Sequence, residues 1–190
     1  MGGHHGGVTP LAKGMLLVAT PPLVDPNFDR TVVLLLEHGD GGAVGVVLNR
    51  PSDTRVAEAL PGWELLAAEP STVFVGGPVS EDAAIALGAA RRPDPGSGFM
   101  AVVGEVGTID LHRNPDDVWD DIAAVRIFAG YAGWGPGQLE DELANHAWVV
   151  LPSEADDVMG PPEDLWRRVL RRQGGTTAWL ANAPADPSVN

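Results

Sequence analysis

The sequence predicts a mixed α+β domain, and three stretches carry that reading. Residues 31–38, T-V-V-L-L-L-E-H, are apolar without alternation, the pattern of a strand in the middle of a sheet covered on both faces. Residues 127–151 pass from an apolar run through Gly130, Gly133, Gly135 and Gly137 into a short acidic helix and a second apolar run: strand, shaped corner, helix, strand. Residues 165–172 set Leu165, Trp166, Val169 and Leu170 on one side of a helix and four arginines on the other.

The first strand is G-M-L-L-V-A at residues 14–19, stopped by Thr20-Pro21-Pro22. D-P-N-F-D-R follows, a turn in which Phe28 pins the loop, while Asp25 and Arg30 either staple it or bind something directly. Glu37 and His38 close the next strand, and neighbouring strand residues point to opposite faces, which makes a two-residue metal clamp awkward. G-D-G-G at 39–42 is a hairpin signal, with residues 43–48 as the return strand. In a plain hairpin, Asn49 and Arg50 then lie at the far end from Glu37 and His38. Residues 53–60 read as a short helix ended by Pro61-Gly62, with Trp63, Leu65 and Leu66 as a cover over the sheet. T-V-F-V at 72–75 runs into Gly76-Gly77-Pro78, either a structural turn or a close backbone approach to a ligand, and Ser80, Glu81 and Asp82 then open a helix over 80–87. R-R-P-D-P-G-S-G is an irregular connection, residues 99–103 are a strand, and part of 110–121, with its five acids, is an exposed helix. Trp179 and Leu180 are expected to tie down the tail.

The corner G-W-G-P-G stands between strand and helix, a context suited to anions. Pro136 removes a donor and Glu140, Asp141 and Glu142 already answer the helix dipole, so a neutral or amine-bearing ligand or a protein partner fits better. The plainer alternative is that Tyr131, Trp134 and the glycines pack a tight bend.

At 190 residues the chain suits a single domain, expected over 14–180, with disordered ends at 1–13 and 181–190. The net charge is −14, and between Glu105 and Asp164 fourteen acids face only Arg113 and Arg126. Such a surface repels nucleic acid and anionic membranes. There is no cysteine, hence no thiolate nucleophile and no Cys-bound zinc. No stretch approaches the ~20 apolar residues of a membrane span, and the beginning lacks the basic and apolar regions of a secretory signal, so the expected address is the cytoplasm. His4 and His5 read as part of a disordered terminus rather than a metal site.

Taken in order, G-M-L-L-V-A, D-P-N-F-D-R-T-V, the E-H before a glycine turn, G-A-V-G-V-V-L-N-R-P, V-G-G-P-V and G-Y-A-G-W-G-P-G-Q-L-E-D-E-L-A-N-H-A-W resemble the AlgH/YqgE family of bacterial proteins. The resemblance spans residues 14–172. It implies a branched sheet that includes a small closed barrel, with helices packed around it. It carries a label of transcriptional regulation but brings no catalytic residue and no cofactor. The matching positions that mark a candidate site are Asp25, Arg30, Glu37, His38, Asn49, Gly76, Gly77, Tyr131, Trp134, Gln138 and Asn145.

Three functions compete. The leading one is a binding module for a small molecule or protein partner at the Tyr131–Trp134 corner. The second is a transcriptional regulator, against which stand the charge and the lack of a helix-turn-helix pattern. The third is an enzyme using Glu37 and His38 as an acid–base pair, which requires both side chains in one cleft.

Overall fold

The computed structural model describes residues 10–21, 28–92, 95–96 and 98–182. Asp25, His4, His5, Ser97 and the tail beyond residue 182 therefore lie outside the described residues. The elements, in chain order, are β1 (Leu16–Ala19), β2 (Val32–Gly39), β3 (Gly42–Val47), β4 (Pro51–Arg55), α1 (Val56–Ala59), β5 (Thr72–Val75), β6 (Val79–Ala90), β7 (Phe99–Val103), β8 (Val106–Ile109), α2 (Pro115–Val118), β9 (Ile122–Trp134), α3 (Gln138–Ala144), β10 (Trp148–Leu151), α4 (Ala155–Met159), α5 (Leu165–Gln173) and α6 (Gly175–Leu180). The class is α+β, as expected.

The strands form one branched sheet in the order β10-β1-β2-β3-β9-β6-β8-β7, with β5 parallel to β9 and β4 paired to β5. β2 lies between β1 and β3, and its residues 32–36 are all buried, which is why that run is apolar throughout. The branch exists because β9 is thirteen residues long. Its first part pairs with β6 and β5, and its last three residues, Ala132, Gly133 and Trp134, pair with β3.

Between those parts two backbones meet. Gly130 takes φ +74°, and a Cβ placed on it would lie 2.4 Å from the Gly77 carbonyl oxygen. Reciprocally, a Cβ on Gly76 would lie 2.4 Å from the Gly130 oxygen and one on Gly77 2.2 Å from the Tyr131 carbonyl. The glycines expected in a turn after the strand are thus inside it: Gly130 and Gly133 belong to β9, and only residues 135–137 make the corner.

The sheet is not closed, which corrects the expected small barrel. β7 and β10 each have a single neighbour. The sheet curls far enough that Val103 at the end of β7 meets Gly14, where an added Cβ would sit 2.6 Å from the valine Cβ. Gly14, at φ +88°, donates its N–H to Leu35 of β2 instead, at 2.8 Å, so the chain ahead of β1 forms no ladder with β7.

Other expectations are corrected in whole or in part. The helix expected over 80–87 is part of strand β6, because V-S-E-D-A-A-I-A-L-G-A-A has partners on both sides and pairing overrides alanine's helix preference. Gly88 fits that ladder closely, since its Cβ would come 2.2 Å from Ile109 Cδ1. The helix over 53–60 shrinks to α1, because residues before it pair with β5 in β4. The acidic helix expected in part of 110–121, after Asn114-Pro115, does form there, as the single turn α2. Trp179 is not an anchor: it is 76% exposed, and Leu180 packs in its place. Trp63 and Leu66, expected as cover, are buried members of the core beneath β6 and β9.

Inside the curl Leu34, Val46, Phe74, Leu87 and Phe128 meet the apolar face of α5, Leu165, Trp166, Val169 and Leu170. Three of the four arginines of α5 bond the chain's own acids and carbonyls. Arg172 donates to both oxygens of buried Asp157 at 2.8 Å, which raises its pKa further, and its Nη1 lies 3.3 Å from Glu154. Arg168 donates to the Pro161 carbonyl and Arg167 to that of Ala181.

The most unusual buried group is Arg126 of β9, 2% exposed. Its Nη1 donates to Val158 and Gly160 carbonyls at 2.6 and 2.8 Å, its Nη2 to that of Glu69 at 2.7 Å, and its Cζ stands 4.5 Å from the centre of the Phe74 ring. Burial pulls its pKa down to about 10, against the weaker pull of Glu163 and Asp156, and that still leaves it charged at neutral pH. Arg126→Met would orphan three carbonyls and should cost on the order of 3–5 kcal/mol in urea denaturation. Arg126→Lys should recover only part of it, because an ammonium lacks the planar fork that spans the segments. A methionine variant as stable as the parent would show that the cradle contributes nothing.

Candidate functional site

The site begins with a fault in the β2–β3 hairpin. Leu35 pairs with Gly45 and Glu37 with Val44, so Leu36 is an extra residue, a β-bulge. Cross-strand partners share a face, so the bulge puts Glu37 on the face of Val44, whereas a regular strand would have put it with Leu35. His38 pairs with Ala43 and faces the other way, toward α3. There its Nε2–H donates to Glu140 Oε1 at 2.6 Å, and this bond holds the Glu140 carboxyl below its usual range.

Two cavities of about 470 and 540 Å³ open beside the bulge, and Lys13, Glu37 and Val44 line both. They form one trough. At one end lie His38, the glycines of the hairpin turn and Trp134. At the other lie Leu36, Ile85, Met100, Val102, Thr108, Asp110 and His112, drawn from β2, β6, β7 and the end of β8. The floor is apolar and the rim ionic, an arrangement that can hold a ligand by contact area and orient it by charge. Lys13 is the only lysine of the chain, and sequence reasoning passed over it.

The expected site residues divide among four places. Glu37, His38 and Trp134 meet at the trough. Trp134 is 6% exposed, its ring 6.2 Å from Phe28 and 5.9 Å from Trp148, so it packs a core with one edge at the trough. Gln138 and Asn145 belong to α3: Gln138 Oε1 accepts the Gly135 N–H at 3.0 Å, and Asn145 Nδ2 donates to the Asp141 carbonyl at 3.0 Å. Gly76, Gly77 and half-buried Tyr131 stand at the backbone crossing.

Arg30 and Asn49 stand at the opposite end of the β2–β3 hairpin, as a plain hairpin requires. Asn49 accepts from Val32 N at 3.0 Å and donates to the Arg30 carbonyl at 2.9 Å. Arg30, at φ 53°, lays its guanidinium 4.9 Å from the Trp166 ring centre, beside a separate cleft of about 320 Å³. Among the described residues no three His, Asp or Glu side chains converge as a metal site.

The open branched sheet and the helices packed on it make this a mixed α+β protein, and its likeness to known proteins gives the family. The chain matches the AlgH-like family over residues 16–178 and belongs to it. A UPF0301 protein of Streptomyces coelicolor is 55% identical over 184 residues, covering 93% of this chain and 94% of the relative. One from Mycobacterium ulcerans is 49% identical over 181 residues, covering 93% and 90%. Among solved structures, a Corynebacterium diphtheriae protein is 30% identical with a TM-score of 0.88, covering 92% of this chain and 94% of that one. AlgH of Pseudomonas aeruginosa, solved in solution, is 28% identical with a TM-score of 0.66, covering 90% and 93%.

Two outcomes test this geometry. In His38→Ala the Glu140 carboxyl should titrate at higher pH than in the parent when followed by NMR, since its depressed pKa comes first from the His38 bond; an unmoved titration would place His38 elsewhere in solution. Gly77→Ala, forced against the Tyr131 backbone at φ +155°, should cost roughly 2–3 kcal/mol in thermal unfolding. A neutral Gly77→Ala would remove the crossing as a constraint.

Proposed function

We propose that this chain is a non-catalytic binding module of the cytoplasm, one folded unit over residues 14–180, which takes a small molecule or a protein partner along the Lys13–Glu37 trough. The carrying observation is the bulge at Leu36, which turns the Glu37 side chain from the aromatic core side into an open cavity with an apolar floor. Bulges beside sites commonly re-aim a side chain in this way. The corner first favoured from sequence contributes only an edge of Trp134, whose truncation would hollow out the aromatic core and so confuse stability with capture.

Two observations weigh against the competing readings. The α5 arginines at 167, 168 and 172 are bonded to the chain's own carboxylates and carbonyls, which lessens their value as phosphate contacts. Glu37 and His38 both line the cavity of about 540 Å³, but His38 bonds Glu140 and Glu37 lies on the opposite face of the strand, which weighs against an acid–base pair.

The test is a thermal-shift screen of a metabolite panel on the parent and on Lys13→Ala/Glu37→Gln, two exposed positions whose change leaves unfolding within about 0.5 kcal/mol. A compound that prefers the native form raises its melting temperature. Compounds that stabilise the parent should fail to stabilise the double variant. Equal shifts in both proteins would move the site away from the trough.

A further inference from the structure

From the open seam of the curled sheet we infer that the trough takes an extended peptide bearing basic side chains, which adds as a strand to the free edge of β7; this rests on the trough being the binding site.

The first observation is the edge itself. β7 reads F-M-A-V-V, with neither a charge nor a proline, and it has β8 alone as a neighbour. Proteins usually blunt such an edge with charged residues, proline, a bulge or a covering element, because its unpaired N–H and C=O groups recruit other strands; of the first three β7 has only a bulge, between Ala101 and Val103. Here Met100 is 69% exposed and Ala101 is exposed. Of the other edges, β10 is shorter and all its residues are buried or half-buried, and β4 carries Pro51, Asp53 and Arg55. Among the described residues the end of β7 is covered, where Gly14 lies against Val103 and the Val102 carbonyl oxygen. The part before it, Met100 to Val102, borders the trough. Those three residues offer roughly 10 Å of edge, enough for an extended peptide to pair over a few positions.

The second observation is charge. Glu37 and Asp110 line the trough, Asp40 sits in the hairpin turn that forms one end, and Glu81 and Asp82 lie just before Ala84 on its wall. Lys13 is the one lysine or arginine in the lining to oppose them. A strand with lysine or arginine at alternate positions would put cations toward this rim and small apolar residues toward Leu36 and Val102. A second copy of this chain fits poorly, because each carries a net charge of −14.

The test uses the full chain and two capped, fluorescein-labelled hexapeptides, Lys-Val-Lys-Val-Lys-Val and Glu-Val-Glu-Val-Glu-Val, with binding read by anisotropy. The lysine peptide should bind and the glutamate peptide should not. Glu37→Gln/Asp110→Asn should weaken binding about fivefold, an effect that fades as salt rises. N-methylating the lysine residues or the valine residues should have unequal effects, because only one set of amides faces β7; that set should lose at least about tenfold. Equal effects of the two sets would overturn strand addition while leaving the trough as a site. Failure of both peptides, with metabolites still stabilising the parent and not the Lys13→Ala/Glu37→Gln variant, would overturn this inference and spare the broader reading. Failure of both together with equal metabolite shifts would remove both. A concentration-dependent dimer that protects β7 amides from exchange would assign the edge to a second copy and overturn the peptide.

Discussion

Gly76, Gly77 and Gly130 let two stretches of backbone pass in contact, and the placement of nearly every other element follows from that contact. A side chain at any of them would push β5 and its exit off β9. With the backbones touching, the Gly76 N–H reaches the Ala129 carbonyl and its own carbonyl takes the Val47 N–H, both at 2.8 Å, so the crossing ties β3, β5 and β9 together. β9 can then leave one part of the sheet and enter the other, delivering Trp134 to the aromatic core and α3 to the side of the β2–β3 hairpin. The bond between His38 and Glu140 spans 102 residues of sequence, and its geometry is inherited from that delivery.

Much of the fold was legible because the signals were local. The hairpin at G-D-G-G, the unbroken apolar β2 and the stripe of α5 each depend on residues within a few positions of one another, and each formed as read. Where pairing over distance decides, local signs misled. Ser80, Glu81 and Asp82 look like a helix start, yet the strand is set by β8 and β9, whose partner residues lie 17 (Ala89–Val106) to 52 (Val79–Tyr131) positions on. The resemblance implied a closed barrel, and whether a curled sheet closes depends on the last few ångströms between β7 and β1, which no motif encodes.

The candidate site was partly legible. Glu37 and His38 stood out as the first polar residues after an apolar run, and their opposite facing followed from strand geometry. The bulge that redirects Glu37 was invisible, because an extra residue in a strand is defined only against its partner. Lys13 carried one signal that could have been used, its being the only lysine. Arg126 carried another: a lone arginine in A-A-V-R-I-F, too apolar a setting for a residue facing water. Gln138, Asn49 and Asn145 attracted notice for side chains that prove to bond backbone locally or across the hairpin.

The Arg126 cradle also bears on how this chain reaches its native form. Its three carbonyl partners lie 57, 32 and 34 residues away along the chain, on both sides of it. A guanidinium cannot shed its proton to ease the passage out of water, so a collapsed form with only one of those segments docked would strand a dry cation. Half-built arrangements are thereby penalised relative to the complete one, and the chain acquires an energetic gap between its single correct assembly and compact alternatives.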